Sequence, residues 1–157
     1  MKKWMKSSAV LFVVSVAVAC GGAQDPAAYN NELMLTINEN EKHITDMNAA
    51  MNAADYTKAS EVRTAWEANL EKQIEKVGEI GGFNGDNTLQ QAVLQGLKAY
   101  EKIVKDDYPK LIEIRSTGAD DPAAETTALN NINDAFEKAA NTVNEAGTAF
   151  EKQQLEN

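Results

Sequence analysis

Leu129, Ile132, Phe136, Ala139, Val143, Ala146 and Phe150 follow one another at intervals of three, four, three, four, three and four residues. At 3.6 residues per turn an α-helix brings such positions onto one face, and so regular a seam is that of a helix packed on other helices. A helix with one apolar stripe has no way to bury it alone, so the chain must supply partners. Three further stripes do so.

The first runs through Leu33, Ile37, Asn40, Ile44, Met47 and Met51, with Asn40 its one polar member. Ahead of it, Asp25-Pro26-Ala27-Ala28 offers an N-cap acceptor and a proline at the first helical position, so the spacing predicts a helix over 26–52. That rhythm would continue onto Ala54 and Lys58, yet the apolar set resumes at Ala59, Val62, Trp66, Leu70, Ile74 and Val77. The phase slip predicts a turn near Asn52 to Asp55 and a second helix over 55–78. No glycine or proline marks that turn, and one continuous helix is the alternative. Gly78 to Gly85 forms the clearest loop, with Phe83 expected to tuck onto the bundle.

Asp86 is placed to cap a third helix over 86–115, whose stripe is Leu89, Val93, Leu97, Tyr100, Val104, Tyr108 and Leu111. Pro109 falls inside it, and a proline in a helix interior removes a backbone hydrogen bond, so a kink is expected there. Asp121-Pro122-Ala123-Ala124 repeats the first helix start and opens the fourth helix, 121–155. The similarity ends after those four residues, which fits shared capping chemistry better than duplication. The expected fold is all-α, an antiparallel four-helix bundle over residues 26–157.

The amino terminus carries a different message. Lys2, Lys3 and Lys6 precede an eleven-residue apolar run, Ala9 to Ala19, broken only by Ser15 and closing on Ala17-Val18-Ala19. That is the pattern of a secretion signal over 1–19, too short for a bilayer span of roughly 20 residues. Cys20, the chain's one cysteine, then has two readings. Cleavage after Ala19 could release a protein with a terminal thiol. Alternatively, Ala17-Val18-Ala19-Cys20-Gly21-Gly22 resembles a bacterial lipobox, in which the cysteine takes a diacylglycerol on sulfur and a fatty acid on its new amine; the lipobox pattern prefers Leu where this chain has Ala17. Three acyl chains anchor firmly, since each buried methylene contributes about 0.8 kcal/mol. With no second cysteine for a disulfide, lipidation of Cys20 is the expectation, residues 20–25 serving as a lipidated tether.

Chemistry is harder to find in the remainder. The chain has 24 acidic and 15 basic residues; loss of the three amino-terminal lysines leaves 12 bases, for a net charge of -12. Nucleic acid is therefore not an expected partner, because such binding needs clustered Lys and Arg. With one histidine, His43, the paired Glu-x-x-His ligands of a di-iron bundle cannot be assembled. Met47, one turn after His43, cannot serve as an opposite axial haem ligand from the same helix face. His43 beside Glu39 and Asp46 reads as a solvated or salt-linked surface residue. Ser60 and Ser116 lack a second histidine for nucleophilic catalysis. Asp106-Asp107 reads as a solvated pair near Pro109, and Asp121 as a cap. The Gly81–Asp86 loop lacks the Gly-Lys-Ser/Thr of a P-loop and the alternating oxygens of an EF-hand. No catalytic, cofactor-binding or metal residue is expected.

The lipobox followed by Gly21-Gly22, Asp25-Pro26-Ala27-Ala28-Tyr29-Asn30, Gly82-Phe83-Asn84-Gly85-Asp86, and the segment from Lys98-Ala99-Tyr100-Glu101 to Asp107-Tyr108-Pro109 together resemble a family of short surface lipoproteins of Gram-negative bacteria, first grouped around a leptospiral member. The resemblance covers nearly all of the chain after the signal. It implies an envelope-anchored helical protein and brings no catalytic residues. Gly21, rather than Asp, after the cysteine leans toward the outer membrane under the enterobacterial retention rule. The expected role is structural or interactive, with the membrane and an envelope protein as partners. The alternative is a periplasmic or surface bundle holding a small apolar ligand or a metal.

Overall fold

The computed structural model describes residues 24–118 and 120–155. Its described residues are all-helical apart from the connections and one isolated bridge between Phe83 and Asp86. The signal segment 1–19 and Cys20 lie outside them.

The helices are α1 (Pro26–Asn38), α2 (Asn40–Asn52), α3 (Tyr56–Ile80), α4 (Thr88–Lys102), a π-helical segment (Ile103–Asp107), α5 (Tyr108–Thr117) and α6 (Pro122–Leu155). They form four arms around one core: α1 with α2, α3 alone, α4 through α5, and α6 alone. α6 packs along α4, the π segment and α5, while α3 packs against α2, α4 and α5. Trp66, Leu33, Met47, Leu70, Leu97, Val77 and Val93 are fully buried, and all belong to the apolar stripes. Each such side chain contributes about 1.5–3 kcal/mol on leaving water, enough to hold helices that would be marginal alone.

Both Asp-Pro-Ala-Ala starts cap as expected. Asp25 Oδ1 accepts from Ala27 N at 2.9 Å, and Asp121 Oδ1 accepts from Ala124 N at 3.0 Å. The turn at the phase slip is present: Ala54 takes φ 55°, and Asp55 caps α3 by accepting from Lys58 N at 2.9 Å. The second helix outlasts its expected end at 78 and stops at Ile80, where Gly81 takes φ 73°. Phe83 tucks in as expected, buried in the core. Asn84 and Gly85, at φ 49° and 91°, reverse the chain between the paired Phe83 and Asp86, whose two backbone bonds are 2.7 and 2.9 Å long. Positive φ at both central residues is the geometry that an Asn-Gly turn favours. Gly82 is required for a different reason, since a Cβ there would stand 2.7 Å from Asp86 O.

Three expectations are corrected. The helix expected over 26–52 is broken at Glu39. Just before and after the break, Thr36 Oγ1 donates to Glu32 O at 2.8 Å and Asn40 Nδ2 donates to Ile37 O at 2.9 Å, side-chain bonds that compete with the helical ladder. The third helix starts at Thr88 rather than 86, because Asp86 Oδ1 accepts from Thr88 N at 2.9 Å from one position outside the cap residue Asn87. Finally, Pro109 does not sit inside a kinked α-helix. It falls in the first turn of α5, after the π segment has widened the helix. Pro109 has no N–H to offer Lys105 O, and its ring would press on that carbonyl in an unbroken helix, so the distortion is taken one turn earlier. Arg63 Nη1, bonded to Glu67 at 2.7 Å, also reaches Val104 O in that segment at 3.5 Å.

Candidate functional site

The sequence nominated one site residue, Cys20, with cleavage after Ala19, and both lie outside the described residues. What the structure supplies is the end of the bundle to which Cys20 leads. Gln24 Oε1 accepts from Asn84 N at 2.7 Å, fastening the start of the described chain to the α3–α4 connection. A few residues later, Tyr29 donates to Gly81 O at 3.1 Å, and its ring meets Phe83 and Phe150 with centroids 5.4 and 5.5 Å away. Phe83 and Phe150 meet edge-on at 5.1 Å. The first turn of α1, the loop before α4 and the last turns of α6 are thus gathered at one end. Asn30 Nδ2, donating to Glu151 Oε1 at 3.2 Å, adds a rim contact there.

Deeper in the bundle lies a polar layer that sequence reading saw only as one polar stripe member. Asn40, fully buried, accepts from Trp66 Nε1 at 2.7 Å and donates to Gln73 Oε1 at 2.8 Å. Gln73 Nε2 in turn donates to Glu39 Oε2 at 3.1 Å. Around Trp66 stand Tyr100, Tyr108 and Phe136, with ring centroids 5.9–6.5 Å from the indole. Burial pushes the Tyr108 phenol up to about 12.

His43 belongs to this layer, which corrects its reading as a surface residue linked to Glu39 or Asp46. Glu39 is taken by Gln73, and Asp46 by Lys42. The half-buried His43 ring lies parallel to Trp66 at 6.0 Å, and its Nε2 is 3.1 Å from Asn69 Nδ2. An amide nitrogen only donates, so Nε2 is the acceptor of a neutral ring in this pairing. Desolvation by burial holds the imidazole below its ordinary pKa, the Lys42 charge adds to that, and Asp46 opposes it.

Asp106 is exposed as expected, but Asp107 is buried at 3% exposure, its Oδ1 accepting from Asn131 Nδ2 at 2.9 Å. Its place in the π segment turns it inward, a rotation that the spacing of apolar residues does not encode. Asp120 and Asp121 remain exposed. Glu101 and Lys105 pair at 2.7 Å as the i,i+4 spacing suggested, and Lys105 also reaches Glu71 on α3 at 3.3 Å. Among the described residues no cluster of three or more His, Cys, Asp or Glu is arranged to hold a metal, and no helix is long and apolar enough to cross a membrane. No protein-family model, curated protein or solved structure matches the chain.

Proposed function

We propose that the chain is a lipid-anchored protein of the bacterial cell envelope: an antiparallel four-helix bundle held to the membrane by acyl chains on Cys20 after cleavage following Ala19, with a structural or protein-interaction role and no catalysis. The observation that carries the reading is the run of small residues ending on Cys20, only six positions ahead of a helix that begins at Pro26. With Gln24 already bonded to Asn84, the free tether is about four residues, at most about 14 Å when fully extended. That length keeps the end bearing Tyr29, Phe83 and Phe150 near the bilayer. The 34 residues of α6 span about 51 Å, so the turns near Ala54 and Gly118 lie farthest from the lipid. A partner in the envelope would meet that far end or the flanks of the bundle. Gly21 after the cysteine favours the outer membrane, as does the resemblance to Gram-negative surface lipoproteins.

Intact-mass measurement of the protein from the membrane fraction, beside a Cys20→Ala variant, tests this. A chain beginning at Cys20 with acyl groups added, lost in the variant, is the expected result. An unmodified chain that stays out of the membrane fraction overturns the proposal and leaves a freely diffusing binding bundle in its place.

A further inference from the structure

Between α4 with its π segment and α6 runs a groove of about 590 Å³ that gathers three lysines. Lys98 and Lys102 line it from one side and Lys138 from the other. None of the three forms an ion pair or hydrogen bond among the described residues, a state they share with Lys72 and Lys110 outside the groove, whereas Lys42, Lys58, Arg63, Lys105 and Arg115 each hold a carboxylate. Asp134, one turn before Lys138, also lines the groove without pairing with any of them, so three lysines there stand against two carboxyl groups, Asp134 and the buried Asp107. Three lysines without a carboxylate partner thus face one groove in a chain with 24 acids and 15 bases. Lys98 and Lys102 stand at i,i+4, where like charges repel, so the helix carries their proximity as a cost.

The groove also has a built polar wall. Asp107, at 3% exposure, lines it, with Asn131 as its one hydrogen-bonding side chain among the described residues. A carboxyl group offers about four acceptor positions, so it retains capacity for another donor. It is there because of the π segment: one extra residue in a helical turn rotates the succeeding side chains by about 100°. Such widened turns occur often at functional positions. Ala99 and Ala135 also line the groove.

We propose that this groove binds a phosphate group whose molecule also carries a hydroxyl or amine, the phosphate meeting Lys98, Lys102 and Lys138 and the donor meeting Asp107. Three ammonium groups suit the charge of a phosphate, about -1.5 to -2, better than that of a single carboxylate. The same chemistry is carried by sugar phosphates and by the phosphoethanolamine headgroup of a lipid. The inference does not depend on the lipid anchor, and the test uses the full chain with Cys20→Ala so that the two fail separately.

Calorimetric titration with glucose 6-phosphate, phosphoethanolamine, inorganic phosphate and glucose reads it directly. Saturable binding of glucose 6-phosphate or phosphoethanolamine, tighter than that of inorganic phosphate and absent for glucose, is expected, and whichever of the two binds names the source. Lys102→Ala combined with Lys138→Ala, both exposed positions whose loss leaves the core intact, should weaken it about tenfold or more. Asp107→Asn should remove the preference over inorganic phosphate. Absence of saturable binding by both organic probes at millimolar concentration overturns the proposal. So does binding indifferent to the double lysine variant, or inorganic phosphate binding as tightly as the organic probes.

Discussion

Replacing Asn40 by Leu puts the buried polar layer to a quantitative test. Asn40 is fully buried and serves Trp66 Nε1 at 2.7 Å and Gln73 Oε1 at 2.8 Å. Leucine would bring about 1.5–3 kcal/mol of hydrophobic burial. Against that, the indole N–H and the Gln73 carbonyl lose their partners in the core, and each orphaned group costs about 1–3 kcal/mol. A leucine fills the space, so water cannot enter to replace the amide. The expected balance is a net loss of about 1–3 kcal/mol. Asn40→Ala, which lacks the compensating burial, should lose about 2–6 kcal/mol. At roughly 3–5 °C per kcal/mol for a domain of this size, the alanine variant should melt about 6–30 °C lower. Asn40→Leu combined with Gln73→Leu removes one orphan together with its partner, and should regain about 1–3 kcal/mol over Asn40→Leu alone. Thermal and urea unfolding followed by circular dichroism read all three. An Asn40→Leu protein as stable as the parent, or a double variant no better than the single, would refute the claim that the polar layer is held by mutual satisfaction.

Other consequences are read just as directly. The imidazole of His43 titrates below its unfolded value of about 6.5, so the unfolded chain binds more protons as pH falls through that value, and folded-state stability is lost below it. Melting temperatures between about pH 7.5 and 5.5 should drop more for the parent than for His43→Gln, and equal slopes would show that the ring is not desolvated. The Tyr108 phenol, pushed up to about 12, should be the last tyrosine to ionise in an ultraviolet alkaline titration, its signal appearing near pH 12 or together with unfolding. A Tyr108→Phe chain that keeps this late phase would count against the assignment. Gly82→Ala places a Cβ 2.7 Å from Asp86 O, where backbone on both sides must shift, so about 1–3 kcal/mol of lost stability is expected by denaturant melting; Gly78→Ala, inside α3 where a Cβ meets nothing within 4 Å, serves as the comparison and should gain up to about 1 kcal/mol from helix propensity.

The elements that were legible in the sequence are those that one local rule decides. Period 3.6 fixed the four stripes, and the two Asp-Pro-Ala-Ala starts and the Asn84-Gly85 turn carry their geometry in their residue types. The break at Glu39 is of another kind. Asn40 occupies a core position in the stripe and Thr36 an adjacent turn, but their competition with the ladder shows only when Trp66 and Gln73, 26 and 33 residues away, are seen to hold the amide inside. The π segment was half legible: Pro109 announced a distortion, while its location one turn earlier depends on how Val104, Tyr108 and Leu111 stay in the core on either side. Asp107 and His43 changed surroundings for the same reason. Each lies near a distortion, where the periodic rule that places polar residues outside no longer holds. The proposal for Cys20 rests on sequence alone, since lipidation there would be directed by processing machinery rather than by packing.

Under the proposed anchoring at Cys20, the end of the bundle that follows it would carry a mechanical load, and its residues are arranged to bear one. α1 has 13 residues, about the length at which an isolated helix is marginal, and the break at Glu39 uncouples it from α2. A pull transmitted from such an anchor would enter at Gln24, so α1 would unravel first unless contacts remote in sequence hold it. Those contacts are the Gln24 bond to Asn84, the Tyr29 bond to Gly81, and the rings of Phe83 and Phe150 against Tyr29. Phe150→Ala removes the ring that joins α6 to this cluster and should cost about 3–5 kcal/mol. The loss should be local. Amides of Tyr29 to Ile37 should exchange with deuterium much faster than in the parent, at roughly 10²-fold or more, while those around Trp66 and Leu97 change less, because the core there keeps its packing. Uniform acceleration along all four arms would show that α1 is bound into the global unfolding unit, and that the aromatic cluster is one part of the core rather than the fastening of a tethered helix.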